Sequence, residues 1–294
     1  MIYNLNKFLK KELGKNRSFL NEADEPFILF YKCFSKAMRI RHSVVLPVYN
    51  QEELIPRVLE KIINNTKSNF ELIIILDACT DDSEKNILNF LTQNEKTFPK
   101  NLHSVTIVKQ PNTPIFEASC DNIGFILSRG KYCLEIQSDM LIGESGYDLQ
   151  LEKPFKLFPD CIGVSARCCH TLFNPKEGAT ERGNRNIFYI RGTCNRGPLM
   201  LDKQKLKELN YLDEKNYYLG NSDHDLFARA RLEKKYICGH TSIKWKGAPA
   251  HSKTRQERDD INELYLKKRA EQSSKSIYSY KKEWIEPEYK EFKI

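Results

Sequence analysis

The sequence predicts an α/β protein in which helices flank an open, mostly parallel β-sheet. Four short apolar runs rich in β-branched residues, SVVLPV, ELIIIL, VTIV and YCLEI, follow one another from Ser43 onward. Runs of this kind are typical of strands that are buried on both faces of a parallel sheet. Helical segments separate the runs, and this alternation indicates right-handed crossovers between parallel strands.

The connecting segments have the apolar spacing of helices. In the first segment, Leu54, Val58 and Ile62 recur at every fourth position. The second segment follows TDDS, whose side chains suit a helix N-terminus, and the third leads into Gly130, which suits a C-terminus. Ligands of open α/β sheets bind outside the carboxyl ends of the strands. The candidate site residues are therefore those that close the strands: 47–50, Asp77 and 137–139.

Length and composition favour a folded protein of enzyme size. The 294 residues are 40% hydrophobic, which is enough to bury one large core or two smaller ones. The formal charge of +8, from 47 basic and 39 acidic residues, favours anionic ligands such as phosphates, acidic glycans or lipid headgroups. Nucleic acid is not an expected partner, because the basic residues are dispersed and no nucleic-acid-binding motif accompanies them.

The sequence also bears on the cellular compartment. Nine cysteines occur without a CxxC pair, so reduced thiols are expected rather than a zinc or dithiol site. The N-terminal sequence lacks the apolar core of a signal peptide, and no run approaches the roughly 20 apolar residues of a membrane span. We expect a cytoplasmic protein, with the cytosolic face of a membrane as the alternative location.

Three regions are expected along the chain. Residues 1–40, which include FILFYKCF, are predicted to form one or two helices docked outside the main domain. The alternative for this extension is peripheral association with an anionic membrane surface. Residues 41–254 form the main domain, and residues 255–294 form a charged, mostly helical tail.

Several acids fall near the expected crevice. Clustered carboxylates at strand ends suit a hard divalent cation such as Mg²⁺ or Mn²⁺, which also binds substrate phosphates. An Asp after a strand is more often a turn or helix-cap residue, and we prefer that interpretation for Asp81 and Asp82. The remaining candidates are Asp77, Asp139 and one or both of Asp223 and Asp225.

Four segments in this order resemble the motifs of glycosyltransferase family 2, whose members have the GT-A nucleotide-diphospho-sugar transferase fold. The segments are VVLPVYNQEELI, ELIIILDACTDDS, ASCDNIGFILSRGKYCLEIQSDM and GNSDHDLFARARLEKKY, within roughly residues 42–251. The resemblance implies a GT-A type open mixed sheet, mostly parallel and flanked by helices.

The resemblance also implies roles for individual residues on the donor side. Asp77 would hydrogen-bond the base, and Asp139 would be the metal ligand at the last position of the DxD motif. The nucleotide pocket would be lined by Pro47, Val48, Tyr49, Asn122 and Gly124.

The chain departs from the family pattern at four positions. Leu76 stands where the family usually has an acid, Asp121 where it has a basic residue, Gln137 at the first acid of the DxD motif, and Ser222 at the Glu of the family's Glu-Asp-x-Asp segment. Glutamine is a poorer ligand than carboxylate for a hard cation. Gln137 therefore either lowers metal affinity or contacts the ribose instead.

The segment SDHD occupies the place of the family's Glu-Asp-x-Asp, so Asp223 matches the general base and Asp225 a nearby polar support. Residues two apart on a helix diverge by about 200°, so the two acids cannot both face one acceptor hydroxyl. Asp225 can pair with Arg229 at i+4. Helix capping is the alternative role for one of the two acids.

Four cations and one histidine complete the predicted site. His251 lies where related enzymes often place a histidine near the metal or the diphosphate, and Lys253 and Arg255 follow it. The loop FYIRGTCNRGPLML carries Arg191 and Arg196, a composition that suits an anionic or hydroxyl-rich acceptor.

Taken together, these features predict an inverting, metal-dependent glycosyltransferase. It would move a sugar from a nucleotide-diphosphate donor, with a UDP-sugar as the expected donor, to an acceptor hydroxyl on a glycan or glycoconjugate. One alternative is a non-catalytic nucleotide-sugar or glycan-binding module on the same fold. The other is a sugar nucleotidyltransferase, which ranks last because LPVYNQEEL lacks a glycine-rich phosphate loop.

Overall fold

The computed structural model describes residues 5–13, 24–35, 39–167, 170–174, 176–217, 221–247 and 290–294. Seven α-helices lie within these ranges: α1 (Leu5–Leu13), α2 (Ile55–Asn65), α3 (Ser83–Asn94), α4 (Phe116–Leu127), α5 (Tyr147–Leu157), α6 (Lys203–Glu208) and α7 (Ser222–Lys234). None of the described helices is long and apolar enough to cross a bilayer.

The same ranges contain fourteen strands. They are β1 (Phe27–Cys33), β2 (His42–Val48), β3 (Phe70–Asp77), β4 (Leu102–Gln110), β5 (Tyr132–Glu135), β6 (Met140–Ile142), β7 (Cys161–Ser165), β8 (Thr171–Asn174), β9 (Gly178–Glu181), β10 (Ile187–Arg191), β11 (Leu199–Asp202), β12 (Ile237–His240), β13 (Trp245–Gly247) and β14 (Lys290–Lys293).

Ten strands form the main sheet in the order β1-β4-β3-β2-β5-β11-β7-β12-β10-β14. Strands β4, β3, β2 and β5 are parallel to one another, and β11 runs antiparallel between β5 and β7. Because the four parallel strands end together, Val48, Asp77, Gln110 and Glu135 mark one end of the sheet, which we call the carboxyl end. Leu199 lies opposite Glu135, so the segment that precedes β11 also lies there.

The second sheet has four strands in the order β6-β13-β9-β8 and continues from the carboxyl end. Strand β6 begins directly after Asp139. Strand β13 is antiparallel to β6, with Gly247 opposite Met140 and Trp245 opposite Ile142. The chain therefore leaves β13 close to Asp139.

Helices pack on both faces of the main sheet. Helix α2 buries five apolar side chains in the core layer that also contains α3 and α5: Ile55, Val58, Leu59, Ile62 and Ile63. Full burial of such a side chain contributes about 1.5–3 kcal/mol. Helix α4 packs against β2 on the other face, and a Cβ at Gly124 would lie 2.2 Å from Val45 Cγ1. A glycine at that position is therefore what lets α4 approach the sheet so closely.

The predicted α/β alternation is confirmed in the first half of the chain. The four apolar runs form β2 to β5, and the three periodic segments form α2 to α4. The helical prediction for FILFYKCF is wrong, because Phe27–Cys33 forms β1, antiparallel to β4. This run is rich in aromatic residues, which favour strands, and it pairs the backbone groups along the free side of β4.

The tail prediction has two outcomes. Residues 290–293 form β14, antiparallel to β10, instead of a helix. Phe292 packs there against Phe158, with ring centroids 4.9 Å apart, which explains why this short segment is held at the sheet. The rest of the predicted tail helix, up to residue 289, lies outside the described residues.

Candidate active site at the carboxyl end of the sheet

The loops after β2 and β3 are hydrogen-bonded to each other. The backbone amide of Thr80 donates to Asn50 Oδ1 at 2.8 Å. The carboxylate of Asp81 accepts from the amides of Glu52 at 2.9 Å and Ser83 at 3.0 Å. Asp81 is thus a turn residue, as predicted. These bonds fix the loop that begins with the predicted pocket residues.

The three pocket residues at the end of β2 differ in exposure. Val48 is buried, whereas Pro47 and Tyr49 are half-buried at the carboxyl end of the sheet. The thiol of Cys79 donates to the carbonyl of Val48 at 3.3 Å. The backbone of β2 is therefore tied to the loop after β3 where a nucleotide is expected.

Asp77 ends β3 and is 5% exposed. Its Oδ1 accepts from the amide of Ile115 at 2.7 Å, and its Oδ2 accepts from the amide of Phe116 at 3.0 Å. Phe116 begins α4 with a φ of +67°, so this carboxylate also holds a turn that is unfavourable for a residue with a side chain. Asp77 therefore has a structural role at the position predicted to bind the base.

Asn122 is fully buried and joins α4 to the turn at residues 212–214. Its Nδ2 donates to the carbonyl of Leu212 at 2.9 Å and to Glu214 Oε2 at 3.1 Å, and its Oδ1 accepts from the amide of Leu212 at 3.0 Å. Together with the close approach at Gly124, these bonds set the position of α4 against the sheet. Asn122 and Gly124 thus influence the shape of the carboxyl end by fixing the position of α4.

The residues that match the DxD motif lie in the connection between β5 and β6. Gln137 Oε1 accepts from Arg167 Nη1 at 3.4 Å, so its amide oxygen already has a cationic partner. Asp139 is half-buried. Gly197 packs against Gln137, because a Cβ there would lie 2.8 Å from Gln137 Cγ.

The donor atoms at this connection fit one kind of metal site. No group of three His, Cys, Asp or Glu side chains that could hold a metal ion occurs among the described residues. Mg²⁺ is commonly bound through one or two carboxylates, with waters and substrate phosphates as its other ligands. Asp139 fits a site of that kind, which is completed by the substrate. His251, Lys253 and Arg255 lie outside the described residues.

A buried arginine lies between the DxD connection and α7. The guanidinium of Arg196 lies 3.1 Å from Glu117 Oε2 and 3.3 Å from Asp121 Oδ2, and it donates to Ser222 Oγ. Its backbone amide donates to Asp223 Oδ2 at 3.2 Å. The amide of the next residue, Gly197, donates to a buried Glu135 at 2.7 Å. We call these residues the Arg196 cluster: Glu117, Asp121, Glu135, Arg196, Ser222 and Asp223.

The Arg196 cluster contains four carboxylates around one guanidinium. Burial raises the pKa of Asp121 to about 7, although the charge of Arg196 opposes the shift. Burial also raises the pKa of Glu135 well above its ordinary value. Asp121 Oδ1 is buried without a hydrogen-bond partner among the described residues. Perturbed carboxylates of this kind are typical of functional sites.

The two acids of SDHD have different partners. Asp223 Oδ1 accepts from the amide of His224 at 2.9 Å, in addition to the bond between its Oδ2 and Arg196. Asp225 Oδ2 accepts from Arg229 Nε at 2.8 Å, which confirms the predicted pairing. Burial raises the pKa of Asp225, and the charge of Arg229 opposes that shift. Asp223 thus belongs to the Arg196 cluster, and Asp225 to a separate pair.

Arg191 lies apart from this group. Strand β10 is antiparallel to β12, so it starts at the carboxyl end and leads Arg191 away from it. The guanidinium of Arg191 lies over the ring of Tyr189 at 5.2 Å and donates to the carbonyl of Ile190. The sequence suggested an acceptor role for the loop that contains both arginines, but it did not reveal the Arg196 cluster. The one available signal was Asp121 at a position where the family has a basic residue.

The strand order and the acids at the carboxyl end define the class of the fold. It is the GT-A nucleotide-diphospho-sugar transferase fold. Residues 43–143 match the family model described as Glycosyl transferase family 2, which confirms the resemblance over this segment.

Known relatives agree with this class. A poly(ribitol-phosphate) beta-glucosyltransferase from Bacillus spizizenii is 31% identical over 103 residues, which is 34% of this chain and 15% of that protein. A mannosyltransferase from Pyrobaculum calidifontis, solved with GDP-Man and Mn²⁺, has a TM-score of 0.53 at 15% identity, covering 81% of this chain and 62% of that one. S. aureus TarS 1-349 with UDP-GlcNAc has a TM-score of 0.50 at 12% identity, covering 74% and 61%.

Proposed function

We propose that this protein is an inverting glycosyltransferase that uses a nucleotide-diphospho-sugar donor. One observation carries the proposal: the segment Arg196–Gly197 contacts both the DxD connection and the acid at the start of α7. Gly197 packs on Gln137, and the amide of Arg196 donates to Asp223 at 3.2 Å. The connection that contains the predicted metal ligand and the predicted base, Asp223, therefore both contact the segment Arg196–Gly197 at the carboxyl end of the sheet.

The proposed donor is a UDP-sugar, and the sugar is a hexose or a related sugar. The base would lie near Asp77, and the nucleotide against Pro47, Val48 and Tyr49. Two structures with the same fold were solved with UDP-GlcNAc and with GDP-Man, which supports a nucleotide-linked sugar in general terms. Asp77 is held by two backbone amides, so its carboxylate is already ordered before the nucleotide binds.

Asp139 is the proposed ligand of Mn²⁺ or Mg²⁺, with His251 as a further ligand. When bound, such an ion supplies positive charge for the departing diphosphate. Gln137 is better suited to contact the ribose than the ion, because its amide oxygen already accepts from Arg167. Lys253 and Arg255 are proposed to add positive charge beside the diphosphate.

The proposed base is Asp223. Its carboxylate would take the proton of the acceptor hydroxyl as that oxygen bonds to the anomeric carbon and the carbon–diphosphate bond breaks. Attack from the face opposite the leaving group inverts the anomeric centre. The amide of Arg196 fixes one oxygen of Asp223, and the pairing of Asp225 with Arg229 leaves Asp225 in a supporting role. Arg191 remains a proposed acceptor contact, although it lies away from Asp223.

A non-catalytic module that binds a nucleotide-sugar is the second candidate. It is favoured by Leu76 and Gln137, which replace acids of the family pattern. The two candidates predict the same ligand but differ in turnover.

Two measurements test the proposal in sequence. Melting temperatures with UDP, GDP, CMP and dTDP, each with and without Mn²⁺, should rise most with UDP plus Mn²⁺, because a ligand of the native state stabilises it by mass action. Release of free UDP from a panel of UDP-sugars should then identify the donor. Stabilisation without turnover of any donor, in the presence of a range of glycan acceptors, would favour the binding module. No stabilisation by any of the four nucleotides would contradict both candidates.

A further inference from the structure

A second site lies at the opposite end of the main sheet. A groove of about 820 Å³ is formed where β2 and β5 begin and β11 ends. Strand β2 has seven residues, so the groove lies about 20 Å from the carboxyl end. It is therefore separate from the proposed donor site. It is lined by Arg39, Ile40, Arg129, Gly130, Lys131, Asp202, Lys203, Gln204, Lys207 and Glu208.

The two acids that line the groove already have partners. Asp202 Oδ1 accepts from the amides of Gln204 and Lys205 at 3.1 Å, which caps α6, and its Oδ2 lies 3.7 Å from Lys205 Nζ. Glu208 Oε2 accepts from the hydroxyl of Tyr236 at 2.5 Å. Neither carboxylate is paired with one of the five cations that line the groove.

Two of those five cations are held by acids outside the groove. Arg129 is anchored by the buried Glu71, at 2.7 Å from its Nε and 2.6 Å from its Nη2, and it also donates to Ser104 Oγ. Lys207 pairs with Glu12 at 2.7 Å. Arg129 is thereby fixed in place at the groove while its side chain remains 44% exposed.

The other three cations have no carboxylate partner in the part of the chain that the structure describes. They are Arg39, Lys131 and Lys203. Lys203 Nζ donates to the carbonyl of Ser128, and Lys131 Nζ lies 5.0 Å from the centre of the Tyr132 ring. Because these three cations lie within one concave site, the site favours binding of a ligand with more than one negative charge.

We propose that this groove binds a polyphosphate, which is a chain of directly linked phosphate groups. Guanidinium and ammonium groups bind phosphate oxygens through charge-assisted hydrogen bonds, and the fixed Arg129 provides a preorganised donor. The volume falls in the range of ligand pockets, about 300–1,000 Å³. Among the residues that line the groove, Ile40 is the single large apolar one. A concave, mostly polar surface of this kind favours an extended soluble chain over a flat lipid surface.

Inorganic tripolyphosphate is the probe for the test. Isothermal titration at low ionic strength should give saturable binding, and the double variant Arg39→Glu/Lys131→Glu should bind about tenfold or more weakly. Both residues are exposed, so the variant should keep the parent melting temperature. Arg57→Glu/Lys61→Glu, an exposed double charge reversal on α2 outside the groove, serves as the matched control and should change the affinity less than about twofold.

Three results would overturn the proposal. They are no binding of tripolyphosphate, equal weakening by Arg57→Glu/Lys61→Glu, and groove-dependent binding to phosphatidylglycerol vesicles without binding of tripolyphosphate. Adding Asp139→Asn to the titrations separates this site from the proposed donor site. That variant should bind tripolyphosphate through the groove like the parent, whether or not the donor site takes UDP.

Discussion

Among the described residues, two buried clusters of ionisable side chains lie near opposite ends of the main sheet. At the amino end, His42 is fully buried between Asp148, 3.2 Å from its Nδ1, and Glu152, 3.0 Å from its Nε2. Asp148 also accepts from the amides of Lys67 and Ser68, and Glu152 pairs with Arg41. At the carboxyl end, the Arg196 cluster places four carboxylates around one guanidinium, and Asp121 Oδ1 has no hydrogen-bond partner in the described part of the chain.

The pKa values of the carboxylates shift in opposite directions in the two clusters. Burial works against the charged form in both. In the His42 cluster, hydrogen bonds outweigh it, lowering the pKa of Asp148 and Glu152 and raising the pKa of His42. In the Arg196 cluster burial prevails, and it raises the pKa of Asp121 and Glu135. The same side-chain types are thus held in their charged forms where they are fully paired, and they include carboxylates that protonate more readily where pairing is incomplete.

The largest effect is expected at Asp223. Asp223→Asn keeps the shape and an acceptor oxygen but removes the basicity, so turnover should fall about 10²- to 10⁴-fold with little change in donor affinity. Asp225→Asn is the matched control and should alter stability or acceptor affinity instead. Initial rates and donor dissociation constants for both variants check this once a working acceptor is known. A normal rate for Asp223→Asn would contradict the assignment.

The His42 cluster should show the largest effect on stability. Asp148→Ala removes the acceptor of two backbone amides and a partner of His42, so the free energy of unfolding should fall by about 3–5 kcal/mol. Urea unfolding measures this loss, with Asp82→Ala as an exposed control that should change stability by less than about 0.5 kcal/mol.

The contribution of the His42 cluster also depends on pH. Because the folded-state pKa of Asp148 is lowered, its stabilisation is present above the ordinary value of about 4 and is lost as the pH falls further. Because the pKa of His42 is raised, the stabilisation that His42 contributes is present below about pH 6.5 and is lost as the pH rises through its folded-state pKa. Asp148→Ala should flatten both slopes in a series of urea titrations. Unchanged slopes would show that the cluster does not titrate as described.

Asp77 should show a moderate effect on two properties at once. Asp77→Ala should weaken UDP binding by about 1.5–3 kcal/mol, because a charged hydrogen-bond partner is lost. It should also lower stability, because the amides of Ile115 and Phe116 lose their acceptor. Asp77→Asn restores one acceptor oxygen and should recover part of the stability without the UDP affinity. Calorimetry that finds parent-like UDP affinity in both variants would remove Asp77 from the site.

The smallest effect is expected at Asp121, and its sign is opposite to that at Asp148. Its raised pKa means that folding takes up a proton, so this residue lowers stability as the pH rises from about 4 through about 7. Asp121→Asn should therefore raise the free energy of unfolding by about 1–3 kcal/mol at pH 8 and leave it nearly unchanged at low pH. A destabilised variant at pH 8 would show that Asp121 is fully paired there.

The regular parts of the fold could be predicted because their sequence signals are local. Strands buried on both faces give continuous apolar runs, as in ELIIIL, and residues four apart on a helix meet, as Asp225 and Arg229 do. Strand β1 was wrongly predicted as a helix although its aromatic residues favour a strand, because its pairing with β4, far along the chain, leaves no local signal in the sequence.

The Arg196 cluster could not be predicted for a different reason. Its members come from α4, β5, the segment before β11 and α7, and Arg196 lies 79 residues from Glu117 in the chain. The backbone partners of Asp77, at Ile115 and Phe116, are likewise set by the turn into α4 and not by any side-chain pattern. Sequence could place the acids at the carboxyl end, but it could not say which of them the fold would pair.

The most direct test of the proposed site is calorimetric titration of UDP, with and without Mn²⁺, into the parent and into Asp139→Asn. If Asp139 holds the ion that bridges to the diphosphate, Mn²⁺ should tighten UDP binding by the parent about tenfold or more, which is about 1.4 kcal/mol. The variant should keep the parent melting temperature and metal-independent UDP affinity but lose the tightening. Equal tightening by Mn²⁺ in both proteins would contradict a donor site built on Asp139 at the carboxyl end of the sheet.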